Sequence, residues 1–443
     1  MAVPVLMPDR PEIRLTEYES VLLEHIQLTR RDVERLGALQ ARKRLRLDQV
    51  AAGWRLTADA TVGVLTLDRV RLVIEPKFAI PGEQLMNWLA YALDVPTPLE
   101  TTARRWTTGS EGYADLVAAA LLEQCEQLVR EGLRRDYVRR QHLDTVLRGR
   151  LDITAQVSRR YGQLDHLHTR TFDREAEIWD NRVLSAALEV AQRYLANSEL
   201  ARRLHVLAEA FPPAPTRGAA LHALDRIQYT RLNSRYRPAH TWARLLLRGG
   251  GFTDLLTDHG STADGLLLAM PALWEAVVRR LAIEAAAPFG GNPVTAGSTP
   301  VTVHGDLGNA STFRPDVLLE FPGPASVART LLPLDAKYKR YDRHGVSAAD
   351  VHQLVTYCAG YTARGEQRAV IIHPAPGGHT QRVLHVDGTQ GILGTLHVLG
   401  IDTHVSPQHG ALWARSEIRW PQTDDIYPPV VRQGRPGLLR RLL

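Results

Sequence analysis

Residues 313 to 340 constrain this chain more than any other stretch. They hold two apolar runs of strand length, Phe313-Arg-Pro-Asp-Val-Leu-Leu-Glu-Phe321 and Leu331-Leu-Pro-Leu-Asp-Ala-Lys-Tyr-Lys-Arg340, parted by the turn signal Phe321-Pro-Gly-Pro324. Each run carries charge where a plain buried strand would not. Asp316 opens the first. Asp335 and Lys337 close the second, two residues apart, so in a strand they point to the same face. Two carboxylates and an ammonium at the ends of neighbouring strands form a site for a hard divalent cation and a polarised water.

Pro-Asp followed about twenty residues later by Asp-x-Lys resembles the signature of the PD-(D/E)xK nucleases. Short acid and lysine patterns recur by chance, and the plain alternative is an exposed strand end with an ion pair. Composition bears on the choice. The chain has four lysines (Lys43, Lys77, Lys337 and Lys339) against fifty arginines. A chain that uses arginine nearly everywhere has placed a lysine in Asp-x-Lys, and the two differ where a compact ammonium must sit beside a water and a phosphate.

At 443 residues, two or three domains are expected, and 44% apolar content is enough for real cores. No run of 18 apolar residues is present, so no membrane span is expected, and the N-terminus lacks a basic region followed by a long apolar one. The two cysteines, Cys125 and Cys358, exclude a disulfide framework or a zinc knuckle as an organising feature and point to a reduced, cytoplasmic setting. A net charge of +6 is compatible with a polyanionic partner but moderate.

Along the chain, residues 11 to 78 are β-rich, with a hairpin over Val62–Phe78 that turns near Asp68-Arg69. Helices are expected at Glu83–Leu93, Tyr113–Arg134, Trp179–Leu195 and Ser198–Ala210, and in parts of Leu221–Leu247. Cys125 falls on the apolar face of the second of these, and Trp179 is placed on the apolar side of the third. Residues 134 to 160 are strongly basic, either a solvated face or a phosphate-contacting one. From 265 onward the order is helix (Pro271–Ala287), three strands, helix (Ser347–Tyr361), then strands at Arg368–His373, Arg382–Val386 and Gly394–Val398. The fold class is a multidomain α+β or α/β protein: a β-rich N-terminal domain at 1–105, a helical middle region at 106–260, and a mixed-sheet domain at 261–443.

Glu275, beside Trp274 on the helix that opens the last domain, is a further acid near the site or a helix-surface glutamate. Gln353 and Tyr357, four apart on the helix after Lys337, share a face, and Gln353 could hold a water or a phosphate oxygen. The chemistry that fits is phosphodiester hydrolysis, with Asp316, Asp335 and the Ala336 carbonyl as ligands of Mg²⁺, or of Mn²⁺ in its place. Lys337 would ease formation of hydroxide and stabilise charge on the scissile phosphate. His304, His344, His352 and His373 read as surface or local hydrogen-bonding groups, without zinc spacing.

Several stretches together resemble the McrC family, the nuclease subunit of McrBC-type modification-dependent restriction systems. They are Val73-Ile-Glu-Pro-Lys-Phe78, Arg148-Gly-Arg-Leu-Asp-Ile153, Arg170-Thr-Phe-Asp-Arg-Glu175, Asp180-Asn-Arg-Val-Leu184, Trp274-Glu275, Arg314-Pro-Asp316, Leu334-Asp-Ala-Lys-Tyr338 and Gln353 to Tyr357. No single piece is specific; their order and spacing are. The resemblance implies a PD-(D/E)xK endonuclease domain that cuts double-stranded DNA with Mg²⁺. It also implies a partner, an McrB-like AAA+ GTPase ring that the N-terminal region (here 11 to 105) plugs and stimulates. Two such complexes would assemble through the nuclease domain. Asp335 stands where many nucleases of the wider superfamily carry Glu; it ligates as well but reaches less far. Asn181 matches a family motif and reads as structural, tying the plug to the nuclease domain. A non-catalytic adaptor of an AAA+ motor and a stand-alone repair nuclease are the alternatives.

Overall fold

The structure, a computed structural model, describes residues 11–24, 27–78, 80–97, 113–195, 197–249, 265–294, 301–303, 311–322, 329–341, 343–363, 367–389 and 391–421. The expected domain limits at 105/106 and 260/261 lie outside them. The chain divides into two compact units, which meet in sequence at Leu273 and Trp274.

The first unit starts with β1 (Glu12–Thr16), β2 (Ser20–Glu24), α1 (Arg30–Ala41), β3 (Leu45–Val50), β4 (Gly53–Ala58), β5 (Thr61–Thr66) and β6 (Arg71–Glu75). The expected hairpin is β5–β6, antiparallel, and it ends at Glu75 just before Pro76, which has no N–H for a ladder. Two sheets form, β2-β4-β3 and β1-β6-β5, the second extended by β10 (Gly265–Ala269) on β5. Their apolar faces and α1 close one core around Leu23, Leu36, Leu56, Leu65 and Leu72. Leu267 on β10 joins that core, so the segment just before the second unit completes the N-terminal sheet.

Helices follow at α2 (Gly82–Leu93) and α3 (Tyr113–Glu131), then α4 (Ile153–Arg159), α5 (Trp179–Gln192), α6 (Ser198–Ala208), α7 (Arg217–Arg226) and α8 (Arg237–Leu247). Leu121, Cys125 and Leu128 are buried on α3, and burial pushes the Cys125 thiol far above its ordinary pKa, as a core thiol requires. Trp179 departs from expectation. It is 44% exposed, with the Arg182 guanidinium 4.9 Å above its ring, because the apolar stripe of α5 runs through Val183, Leu184 and Leu188 instead.

The middle region is not helical throughout. β7 (Asp136–Asp144), β8 (Arg150–Leu151) and β9 (Leu167–Glu175) make a three-stranded antiparallel sheet, β7-β9-β8. Its arginine-rich strands lack the apolar alternation that signals a half-buried strand.

Asn181 also departs from expectation. Its amide donates to the carbonyls of Arg134 (2.9 Å) and Ala176 (2.7 Å) and accepts from Tyr236 Oη at 2.8 Å. All three partners lie in the first unit, so it ties α5 to the root of β7 and to the turn before α8. Asn181→Ala would strand the half-buried Arg134 and Ala176 carbonyls and the fully buried Tyr236 hydroxyl, and is expected to lower stability by about 2–4 kcal/mol, read from the urea midpoint. A change under about 0.5 kcal/mol would refute this role.

The second unit opens with α9 (Met270–Ala286), whose first residues precede the boundary, then β11 (Asn292–Pro293), β12 (Val301–Val303), β13 (Ser311–Phe313), β14 (Val317–Pro322) and β15 (Arg329–Ala336). α10 (Ala348–Tyr361), β16 (Arg368–Pro374), β17 (Thr380–Gly388), β18 (Gly391–Ile401) and α11 (Pro407–Glu417) complete it. The sheet order is β11-β14-β15-β16-β18-β17, parallel only in its centre, β15–β16–β18. α10 is the crossover from β15 to β16, and Leu354, Tyr357 and Cys358 pack it on Ile371, Leu396 and Val398. Buried Trp420 packs against Phe289 and Phe321. Among the described residues no helix is long and apolar enough to cross a membrane.

Candidate active site

The acid pair lies where a ladder stops. β14 and β15 pair from Pro322↔Arg329 to Val317↔Leu334. One step beyond, that register sets Asp316 opposite Asp335. The next step would set Pro315 opposite Ala336, and proline has no N–H for the Ala336 carbonyl. The Asp316 side chain takes the place of a backbone acceptor: its Oδ2 accepts the Ala336 N–H at 2.7 Å. On its other edge β15 stays tied, with Lys337 N–H donating to the Ile372 carbonyl at 3.0 Å. The strand end is therefore fixed on both sides while a carbonyl and two carboxylates remain beside the gap.

Alternation puts Asp316, Asp335 and Lys337 on the face that carries Leu318 and Ile371, the face covered by α10. Lys337 Nζ lies 2.6 Å from Asp335 Oδ2 and donates to Gln353 Oε1 at 2.9 Å. The Gln353 amide donates to Tyr357 Oη at 2.7 Å, and Tyr357 donates to the Arg314 carbonyl at 2.6 Å. The Gln353–Tyr357 pair on α10 thus links Lys337 to the segment that bears Asp316.

Burial pushes the Asp335 carboxyl up to about 6; the charge of Asp316 adds to this and Lys337 opposes it. Burial also raises Asp316, where the Ala336 N–H opposes it and Glu275 adds repulsion. A buried Asp335 and a half-buried Asp316, both raised, with the charge of Asp316 adding to the rise of Asp335, leave a site whose negative charge is undercompensated. Glu275 stands at its margin, ion-paired with Arg279 at 2.9 Å, and Arg279 also donates to the Asp316 carbonyl at 3.2 Å.

One group at the site, Asp350, shows in the sequence only as the end of Ser347-Ala-Ala-Asp350, a capping-box-like start to α10 with Asp in place of Glu. Asp350 takes Lys339 Nζ at 2.7 Å, accepts the hydroxyls of Ser347 and Tyr341, and lies 3.9 Å from Lys337 Nζ. Burial would raise its carboxyl, but these donors outweigh burial and hold it below the ordinary carboxylate range. Of the histidines, His344 and His352 are exposed, and buried His373 has Nδ1 3.0 Å from the Pro374 carbonyl. His304 lies outside the described residues.

Among the described residues no three His, Cys, Asp or Glu side chains gather as a closed metal cage. The donor set at the gap is all oxygen, with two carboxylates whose raised pKa values a cation would relieve. That set fits Mg²⁺ or Mn²⁺, which keep several waters and are held by one or two carboxylates, and it suits zinc poorly.

A family model described as McrBC 5-methylcytosine restriction system component matches residues 56–374. The fold resembles a chain of the half-complex from the tetradecameric assembly of Thermococcus gammatolerans McrB AAA+ hexamers with bound McrC. That match has a TM-score of 0.62 at 16% identity and covers 94% of this chain and 100% of that one. A chain of the cryo-EM Thermococcus gammatolerans McrBC complex matches with a TM-score of 0.46 at 18% identity, covering 62% of this chain and 88% of that one. No curated protein matches.

Proposed function

Because the chain belongs to the McrBC 5-methylcytosine restriction system component family, we propose that it is the endonuclease subunit of a cytoplasmic, GTP-dependent McrBC-like complex. It cuts double-stranded DNA by phosphodiester hydrolysis and stimulates the GTPase of an McrB-like AAA+ ring, which its N-terminal region, 11 to 105, engages. The observation that carries the nuclease reading is the convergence of Asp316, Asp335 and Lys337 on one face where the β14–β15 ladder ends. A non-catalytic adaptor would have no use for two neighbouring carboxylates at a strand end, one of them buried and raised by the other.

Asp316, Asp335 and the Ala336 carbonyl would hold Mg²⁺ or Mn²⁺. Bound there, the cation supplies a Lewis acid and lowers the pKa of water. Lys337 presents a compact positive charge to the scissile phosphate. Gln353 and Tyr357 fix the direction of that ammonium through a hydrogen-bond chain. Glu275, with Arg279, sets the charge at the outer edge of the acid pair.

Mn²⁺ binding by the full chain, followed by calorimetry with a short DNA duplex present, tests the assignment and has a defined pH sign. Asp335 must lose its proton to ligate, and its pKa is raised to about 6. Binding is therefore expected in full at pH 7.5, and should weaken about tenfold by pH 5 as the proton competes. Asp335→Asn should not bind at either pH. Undiminished binding in that variant would refute the site.

A further inference from the structure

The basic stretch at 134–160 is not absorbed by the nuclease site, and in the structure it becomes part of the β7-β9-β8 sheet. Paired residues in an antiparallel ladder share a face. The register Tyr137↔Arg174, Arg139↔Phe172, Gln141↔Arg170 and Leu143↔His168, with Arg150↔Arg170, therefore collects these residues on one side. Asp136, Asp144, Asp173 and Glu175 all fall on the other, where Arg140 pairs with Glu175 at 2.6 Å. Arginine-rich composition alone would scatter arginines over both faces and would not sort the carboxylates to one.

The cationic face is open. Tyr137 is 68% exposed and Phe172 64%, and Arg139, Arg150 and Arg174 are exposed as well. Asp152, at the margin, is buried and engaged by Arg170. Tyr137 faces Arg174 and Arg139 faces Phe172, so rings and guanidinium groups alternate around the four sides of one patch, with the two rings on one diagonal and the two guanidinium groups on the other. Cross-strand neighbours lie about 5 Å apart and same-strand ones about 7 Å apart.

We propose that this face binds single-stranded DNA, with Tyr137 and Phe172 stacking on bases and Arg139, Arg150 and Arg174 contacting phosphates. Charge complementarity selects a polyanion. The exposed rings select single strands, because duplex bases are already stacked on each other and a broad sheet face does not enter a groove. The surface lies wholly in the first unit and includes none of the nuclease residues, and its binding does not require that the chain cut DNA.

The test is fluorescence anisotropy of a labelled twenty-nucleotide thymidine strand with the full chain in EDTA, beside a duplex of the same length. Wild type is expected to bind the single strand more tightly than the duplex, with affinity falling steeply as salt rises. Tyr137→Ala/Phe172→Ala should lose at least tenfold for the single strand. Arg139→Glu/Arg174→Glu should lose at least as much and flatten the salt dependence. Phe172→Trp should retain binding and show fluorescence quenching on addition of the strand, a stacking signature that needs no loss of function. Absence of binding in wild type, or single-strand affinity within twofold of wild type in both double variants, would overturn the proposal. The latter would leave the face to a protein partner.

Discussion

Asp335→Ala is expected to reduce DNA cleavage by the reconstituted complex at least about 10³-fold, since a metal-polarised phosphoryl oxygen accounts for several kcal/mol of transition-state stabilisation. The loss should appear under single-turnover conditions with the partner ring and GTP present, with GTPase stimulation preserved. Folding should not suffer. The carboxylate is 1% exposed and its pKa is raised to about 6, so at neutral pH in EDTA it is held ionised against its own burial. A group whose folded pKa is raised destabilises the fold as pH climbs through that value, and removing it relieves the burden. Lys337 keeps its bond to Gln353 in the variant. Thermal stability in EDTA at pH 7.5 should thus equal or exceed that of wild type, which separates a catalytic loss from misfolding. Cleavage within threefold of wild type would remove Asp335 from the mechanism and shift weight to the adaptor reading.

The parts of this site that the sequence displayed are those set by strand parity. Asp335 and Lys337 share a face because they are two residues apart in a strand, whatever surrounds them. Asp316 was legible because it follows Pro315 at the head of the apolar run that becomes β14. Gln353 and Tyr357 followed from helical spacing on α10.

The rest depends on tertiary placement. Asp350 stands three residues after Ser347, the N-cap of α10, whose hydroxyl accepts the Asp350 N–H and donates to its carboxylate. Its contacts with Lys339, Tyr341 and Lys337 come from three positions on the far side of a turn, a convergence no local pattern announces. The β7-β9-β8 sheet was hidden for another reason. Neither of its faces reads as apolar, so the alternation that reveals most strands is absent from its sequence. Asn181 carried a motif but no direction: an amide can bond any neighbouring carbonyl, and only the structure shows that Arg134, Ala176 and Tyr236 are its neighbours.

Lys337 gives the second large effect, and its variants distinguish holding the cation from acting on the phosphate. Lys337→Met removes a positive charge beside the acid pair, so attraction of a divalent cation should be undiminished or stronger. At pH 8, above the raised Asp335 titration, Mn²⁺ affinity is expected to match or exceed wild type, while cleavage falls about 10²–10³-fold, the usual loss when a transition-state charge partner is removed. Lys337→Arg should fail differently. The ammonium is only 19% exposed and sits 2.6 Å from Asp335 Oδ2 and 2.9 Å from Gln353 Oε1. A planar guanidinium in that space would fork onto the Asp335 carboxylate and occupy oxygens that the cation needs. That variant should therefore lose both cleavage and Mn²⁺ binding. Calorimetry with single-turnover cleavage on the two variants decides the matter: parallel loss of metal and activity in Lys337→Met would make the lysine a structural counter-ion of the acid pair, and full activity in Lys337→Arg would mean that any cation suffices. In a chain with fifty arginines and four lysines, that second outcome would also leave the lysine at this position without a chemical reason.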